Sequence, residues 1–291
     1  MGRRVGEPMS LRHTGGLDHV VILVRDLAAA AEGWRRLGFT LSARGTHSEH
    51  KGTGNHTAML GPDYLELLGI LAPTPLNGTD GARLDAVGEG LDRVALRTAD
   101  AVSGLAEIRG RGQAGTGPQS FARPVRLPDG TVADAAFRTF EWPDGAAPAG
   151  LRLFACQHLT PDAVWVPGST DHPNTAKRIA RLDCLSVDPR RDAELLADLL
   201  AAEPVERDGC WTVPTGPGRA DVAMATPAAL ASRYPGLDPA ACRRSGAATL
   251  VLAAADLGRV ARLVPAAERA GARLLVPPGA ANGVALLFEE G

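Results

Sequence analysis

The stretch LDHVVILVRDLAAAAEGWRRLGF, residues 17–39, decides how this chain folds. A strand-length run rich in Val, Ile and Leu ends at Asp26. After it, Leu27, Ala30, Ala31, Trp34 and Leu37 share one helical face. Asp26 suits the N-cap, where its carboxylate accepts from the free amides of the first turn, and Gly38 suits the left-handed residue that ends a helix. Three short extended segments follow, FTLSARG, NHTAML and YLELLGI, separated by the polar loop THSEHKGTG and the turn GPD. The unit therefore reads β-α-β-β-β.

The opening phrase recurs. LDRVALRTAD (Leu91–Asp100) matches LDHVVILVRD (Leu17–Asp26) without a gap, AATLVLAAAD (Ala247–Asp256) keeps the same length, and LDCLSVDPRRD (Leu182–Asp192) fits with one extra residue. Each tag leads into an alanine- or leucine-rich stretch of helical spacing, and the fourth is expected to carry Leu257, Val260, Leu263 and Val264 on one face before Gly271. Such self-similarity predicts an α+β fold of four βαβββ modules in two pairs. The proline-rich stretch LTPDAVWVPGSTDHPNTAKR lies in the widest gap between tags. Expected boundaries are a tail over 1–16, a first module pair over 17–160, a linker over 161–179 and a second pair over 180–291.

Composition narrows the function. With 31 basic and 33 acidic residues the formal charge is −2, and no basic stripe marks a nucleic-acid or membrane surface. Cys156, Cys184, Cys210 and Cys242 are scattered without a C-x-x-C pair, which argues against a zinc knuckle or a disulfide framework. No apolar run is long enough to span a bilayer or serve as a signal segment. These features predict a cytoplasmic protein, monomer or homodimer, whose partner is a small-molecule substrate or ligand.

Repeated βαβββ units that open on LDHV and close on YLELL resemble the vicinal oxygen chelate superfamily, and GTGNHTAMLGPDYLELLGI and CQHLTPDAVW resemble its glyoxalase-like branch. The resemblance implies that each module pair curls into an incompletely closed, barrel-like sheet with helices outside. It also implies that ligands on the first and last strands of the modules meet at a divalent metal inside the cup. Carried over by position, His19 matches the first-strand ligand and Glu66, in YLELL, the last-strand carboxylate. The second module offers Arg93 where the first has His19, and a guanidinium cannot bind a metal. Its last strand, LRLFACQHL, has no carboxylate, but alternation puts Arg152, Phe154, Cys156 and His158 on one face, so His158 is the expected third ligand. A two-His, one-carboxylate set suits Fe, Mn, Zn, Ni or Co without distinguishing them. In the C-terminal pair the first-strand positions are Cys184 and Thr249, so that half is expected to be structural.

The resemblance thus implies a metal-dependent lyase, isomerase or dioxygenase acting on a small oxygen-rich metabolite by bidentate chelation. Arg93, Asn55 and His56 are the expected substrate contacts. The opposing reading is a metal-free binding protein of the resistance type. In it Arg93 points into the cup and neutralises Glu66 directly, since a carboxylate buried alone is costly. Only six Phe, four Trp and two Tyr are present, too few to favour a stacking pocket. His47 and His50 read as solvated loop residues, His172 and Trp165 as packing within the linker, and Cys156 as an inert buried thiol.

Overall fold

The computed structural model describes residues 11–127, 129–243 and 245–291; the first ten residues of the expected tail lie outside them. The first repeat comprises β1 (Thr14–Val24), α1 (Leu27–Arg36), β2 (Gly45–Thr46), β3 (Thr53–Met59) and β4 (Tyr64–Ile70), and α2 (Gly78–Val87) follows it. The second comprises β5 (Gly90–Thr98), α3 (Ala101–Gly110), β6 (Thr116–Arg126), β7 (Val132–Glu141) and β8 (Arg152–His158). The third comprises β9 (Ala176–Leu185), α4 (Pro189–Leu200), β10 (Val205–Arg207), β11 (Cys210–Val213) and β12 (Asp221–Ala225), with α5 (Pro227–Arg233) after it. The fourth comprises β13 (Ala247–Ala254), α6 (Leu257–Leu263), β14 (Glu268–Ala270), β15 (Arg273–Val276) and β16 (Ala285–Glu290).

Each repeat pairs its first strand in parallel with its last, β1 with β4, β5 with β8, β9 with β12 and β13 with β16. Such pairing needs a crossover, which α1, α3, α4 and α6 begin. First strands join antiparallel, β1 to β5 and β9 to β13, and β13 meets β5 at Ala247 and Leu91, so the strands form one continuous sheet. Asp26, Asp100 and Asp256 cap their helices through side-chain hydrogen bonds to first-turn amides, and Gly38 takes a φ of +80°. The principal core packs Val20 and Ile22 of β1 with Trp34 of α1, Leu105 and Ile108 of α3 and Leu196 of α4, all on the sheet face opposite the cup.

Local readings differ in four places. The third helix starts at Pro189 on an Asp188 cap, whereas Asp192 lies within it and accepts from Ser186 Oγ (2.6 Å). The fourth helix stops at Leu263 because Pro265 drives Val264 into extended geometry. FTLSARG yields no strand before Gly45: Ser42 Oγ takes the amide of Thr57 and so substitutes a side chain for a ladder bond. Helices α2 and α5 lie outside the repeat and were not anticipated.

Helix α5 and the residues after it cover the C-terminal cup. Leu230, Tyr234 and Leu237 pack with Val251, Leu275 and Leu287 in one buried cluster. Tyr234 donates to Asp183 Oδ2 (2.7 Å), and Arg181 Nε donates to Asp183 Oδ1 (2.8 Å), so the buried carboxylate there is satisfied. Both first-strand positions are fully buried: Thr249 donates to Asp183 Oδ2 (2.5 Å) within this region, whereas Cys184 alternates to the opposite face and packs in the principal core.

The halves are tied by the segment read as a linker. His172 accepts from the Thr40 amide (3.0 Å) and donates to Met59 O (2.8 Å), and Asn174 donates to Leu37 O (2.9 Å). Asp63, in the turn before β4, accepts from the Ile179 amide of β9 (3.0 Å). Burial pushes the Asp63 carboxyl up to about 7, against the hydrogen bond from Ile179 and the charge of Arg219. An acid whose folded value is raised binds more protons folded than unfolded, so stability falls as pH rises from about 4 to about 7 and is flat above. Asp63→Asn, which keeps the acceptor and removes the charge, is expected to raise the unfolding free energy at pH 8, read from urea denaturation, by on the order of 4 kcal/mol at the upper bound. The gain should disappear by pH 4; an equal effect at both pH values would refute the assignment.

Candidate active site

The N-terminal cup encloses a cavity of about 340 Å³, at the small end of ligand pockets. Strand alternation sends His19 and Val21 of β1, Asn55 and Thr57 of β3, Tyr64 and Glu66 of β4, Arg93 of β5 and Arg152, Phe154 and Cys156 of β8 to its wall. His47 and Lys51 enter from the loop before β3, and Phe121 and Arg123 from β6.

At one end a register shift between β1 and β5 falls across Leu17 and His19. Such a bulge breaks alternation, so Asp18 turns to the same side as His19. Asp18 is fully buried. His158 Nε2 donates to its Oδ2 (2.6 Å), His19 Nδ1 lies 3.4 Å from the same oxygen, and Arg97 Nε donates to Oδ1 (3.2 Å). Burial would raise the Asp18 carboxyl, but the hydrogen bonds and charges of His158 and His19 outweigh it and hold Asp18 far below the ordinary carboxylate range. The other nitrogen of His19, Nε2, stands 3.8 Å from Glu66 Oε2. Glu66 Oε1 accepts from Asn55 Nδ2 (2.7 Å), which fixes the carboxylate. Tyr64 stacks on the His19 ring at 4.2 Å, Phe154 meets it edge-on at 5.3 Å, and Trp165 lies over His158 at 4.8 Å and over the Arg97 guanidinium at 5.0 Å.

His19, Glu66, Asn55 and Arg93 therefore reach one cavity, whereas His158 sits behind His19 and is absent from the lining. Among the described residues, the three donor atoms that lie within 4.8 Å of one another are those of Asp18, His19 and His158. Nδ1 of His158 is buried without a hydrogen-bond partner. His56 faces the other way, with its Nδ1 against Ser42 O (2.8 Å), because it alternates with Asn55 and Thr57. The Arg93–Glu66 pair of the metal-free reading is not formed, and Arg93 is not the free substrate grip expected of the metal-bound one. Helix α2 brings Asp80 over β5, so the Arg93 guanidinium binds Asp80 and, through Nε, Asp92 (3.2 Å). Asp92 is fully buried and also receives Arg83 (2.6 Å), Arg243 (3.3 Å) and Arg152 (3.5 Å).

His47 lines the cavity with Nδ1 2.8 Å from Thr53 Oγ1, and burial lowers its pKa, so it is neutral at pH 7. Cys156 is buried and its thiol is pushed well up, which makes it inert. His50 stays on the exposed loop. Sequence reasoning passed over Asp18, Lys51 and Arg123. The tag itself carried a signal for the first: the Asp before His19 recurs as Asp92 and Asp183, and all three are fully buried.

A family model described as a glyoxalase-like domain matches residues 17–200, more than half of the chain. The chain belongs to this glyoxalase-like family, within the vicinal oxygen chelate superfamily. No curated protein gives a significant match. Among solved structures, a hypothetical protein from Staphylococcus aureus is similar at 12% identity, covering 94% of this chain and 99% of that one, with a TM-score of 0.65. A mutant of 4-hydroxymandelate synthase from Streptomyces coelicolor aligns at 14% identity over 96% of this chain and 94% of that one, with a TM-score of 0.62. Methylmalonyl-CoA epimerase from Mycobacterium tuberculosis, 20% identical, covers 55% of this chain with 97% of its own and a TM-score of 0.42. For the first two, at these identities, the likeness is one of fold. No helix among the described residues is long and apolar enough to cross a membrane.

Proposed function

We propose that the chain is a divalent-metal-dependent enzyme that acts on a small oxygen-rich metabolite in the N-terminal cup, with His19 Nε2 and Glu66 Oε2 holding the ion. The observation that carries this reading is their 3.8 Å separation across an open cavity. That is too long for a hydrogen bond, yet within reach of two donors that each sit about 2.0–2.2 Å from a shared ion. The environment of each donor fits. Asp18 accepts the Nδ1 hydrogen of His19 and so leaves the Nε2 lone pair facing the cavity, the carboxylate–histidine support typical of metal sites. Asn55 occupies Oε1 of Glu66 and turns Oε2 toward His19.

Bound there, the ion would act as a Lewis acid on neighbouring substrate oxygens. The chain's own residues do the rest. Tyr64 fixes the plane of His19 by stacking, while His158 and Arg97 fix Asp18. Arg93 does not grip substrate in this arrangement; tied to Asp80 and Asp92, it shapes the wall. His47, whose pKa burial lowers, lines the cavity outside the proposed ligand pair and is a candidate to accept a proton.

A second reading places the ion among Asp18, His19 Nδ1 and His158, favoured by the convergence of those donors and the orphaned Nδ1 of His158. Cobalt(II) titration separates the two. If the first holds, Asp18→Asn weakens binding by about 10–100-fold, as loss of a supporting hydrogen bond does, and His158→Ala by no more than that. If His158→Ala abolishes binding while Glu66→Gln leaves it intact, the second reading replaces the first. Absence of any saturable cobalt spectrum in the parent protein would remove both.

A further inference from the structure

The cavity contains two cations that the fold itself leaves unused. Arg123, on β6, has a relative exposure of 8%, and its guanidinium makes no hydrogen bond or ion pair among the described residues. Lys51 also lines the cavity, without an ion pair among the described residues; its ammonium lies over the Phe121 ring, 3.8 Å from the centroid. The other cavity arginines are committed, Arg93 to Asp80 and Asp92, and Arg152 to Asp80 (2.8 Å) and Asp144 (2.8 Å). An Arg this buried is seldom left without an acceptor, because desolvating a guanidinium is costly unless its donors are met. Its nitrogens are not among the fully buried unpartnered atoms but open onto the cavity, so an acceptor for them would come from whatever the cavity holds.

Position and shape say what that acceptor is. Gly45, on β2, lets the Arg123 guanidinium and the Asn55 amide approach one another: a Cβ there would lie 2.3 Å from Asn55 Oδ1 and 3.0 Å from Arg123 Nη1. Asn55 in turn holds Glu66, so the free guanidinium adjoins the His19–Glu66 edge through a single residue. Phe121 and Phe137 stack at 5.3 Å and 26°, which gives the same wall a flat apolar surface. Glu66, Asp80 and Glu141 also line the cavity, so a dianion would meet more repulsion than a monoanion.

We propose that Arg123, assisted by Lys51, is the carboxylate-recognition residue of this site, and that the substrate is an organic monocarboxylate with a planar, partly apolar body. The carboxylate lies on the Arg123 fork, a bidentate geometry that guanidinium suits. The body lies against the edge of the Phe121–Phe137 stack, beside the Lys51 ammonium that covers the Phe121 ring. This inference rests on the proposed active site but not on its metal.

The test is calorimetric binding to the full chain of benzoate, of its neutral isostere benzamide, and of phenyl phosphate. Benzoate is expected to saturate, to bind more tightly than either analogue, and to weaken about ten- to hundredfold in Arg123→Met. Arg123→Lys, which keeps the charge without the fork, should weaken it as well and serves if the Met variant fails to fold. Benzamide should be indifferent to both changes. No saturable benzoate binding, equal affinity for benzamide, tighter binding of phenyl phosphate, or benzoate affinity unchanged in both variants would each overturn the proposal. Glu66→Gln separates the two claims: Arg123-dependent benzoate binding that persists where cobalt binding is absent keeps the carboxylate site and discards the ion seat.

Discussion

Asp92→Asn is expected to cost about 3–5 kcal/mol, the range for removing one partner from a buried ionic cluster. Asp92 is fully buried and is approached by Arg83, Arg93, Arg152 and Arg243, with N–O distances between 2.6 and 3.5 Å. Asparagine preserves the shape and one acceptor but leaves those guanidinium groups facing one another. Arg243 has the fewest alternatives, since its Nε and Nη1 are already buried without partners. Burial alone would raise the Asp92 carboxyl, but Arg93 and Arg83 outweigh it and hold the group below its ordinary value. A depressed folded value means that this stabilisation is present above the unfolded pKa near 4 and is lost as pH falls through the lower folded value. Urea unfolding at pH 7 should therefore show most of the loss, against a total stability typically about 5–15 kcal/mol, and the parent and variant should converge at strongly acidic pH. A loss below about 1 kcal/mol at pH 7 would mean that solvent, rather than Asp92, balances the arginines.

The second large effect concerns Glu66→Gln. The substitution keeps the hydrogen bond to Asn55 and the shape of the cup while removing one of the two proposed ligands, so the fold should survive. Divalent-ion affinity should fall by more than the roughly 10–100-fold expected for the supporting Asp18→Asn change. Equilibrium dialysis with cobalt(II), read beside an unfolding curve, checks both halves. A variant that unfolds would assign Glu66 a structural role instead.

These two residues show how far the sequence could be followed. The repeated tag exposed the strand–helix units because burial on one helical face and capping by Asp26, Asp100 and Asp256 are local effects, written within about ten residues. His19 and Glu66 were legible for a similar reason: each occupies a fixed place on a short strand. Asp18 was not, because alternation assigns it to the face opposite His19, and only the bulge against β5 reverses that. The partner of Arg93 was missed because Asp80 comes from α2, a helix outside the repeat. His56 was misjudged by one position in an alternating strand. Arg123 and Lys51 lie on β6 and on the loop before β3, far apart in sequence, and only closure of the cup brings them to one wall.

The most direct measurement is the anomalous difference map of a crystal soaked in manganese(II). The account predicts a peak inside the cavity, about 2.0–2.2 Å from both His19 Nε2 and Glu66 Oε2, with Asp18 still hydrogen-bonded to the far nitrogen of His19. A peak among Asp18, His19 Nδ1 and His158, or no peak in a crystal whose cavity is open to solvent, would contradict it.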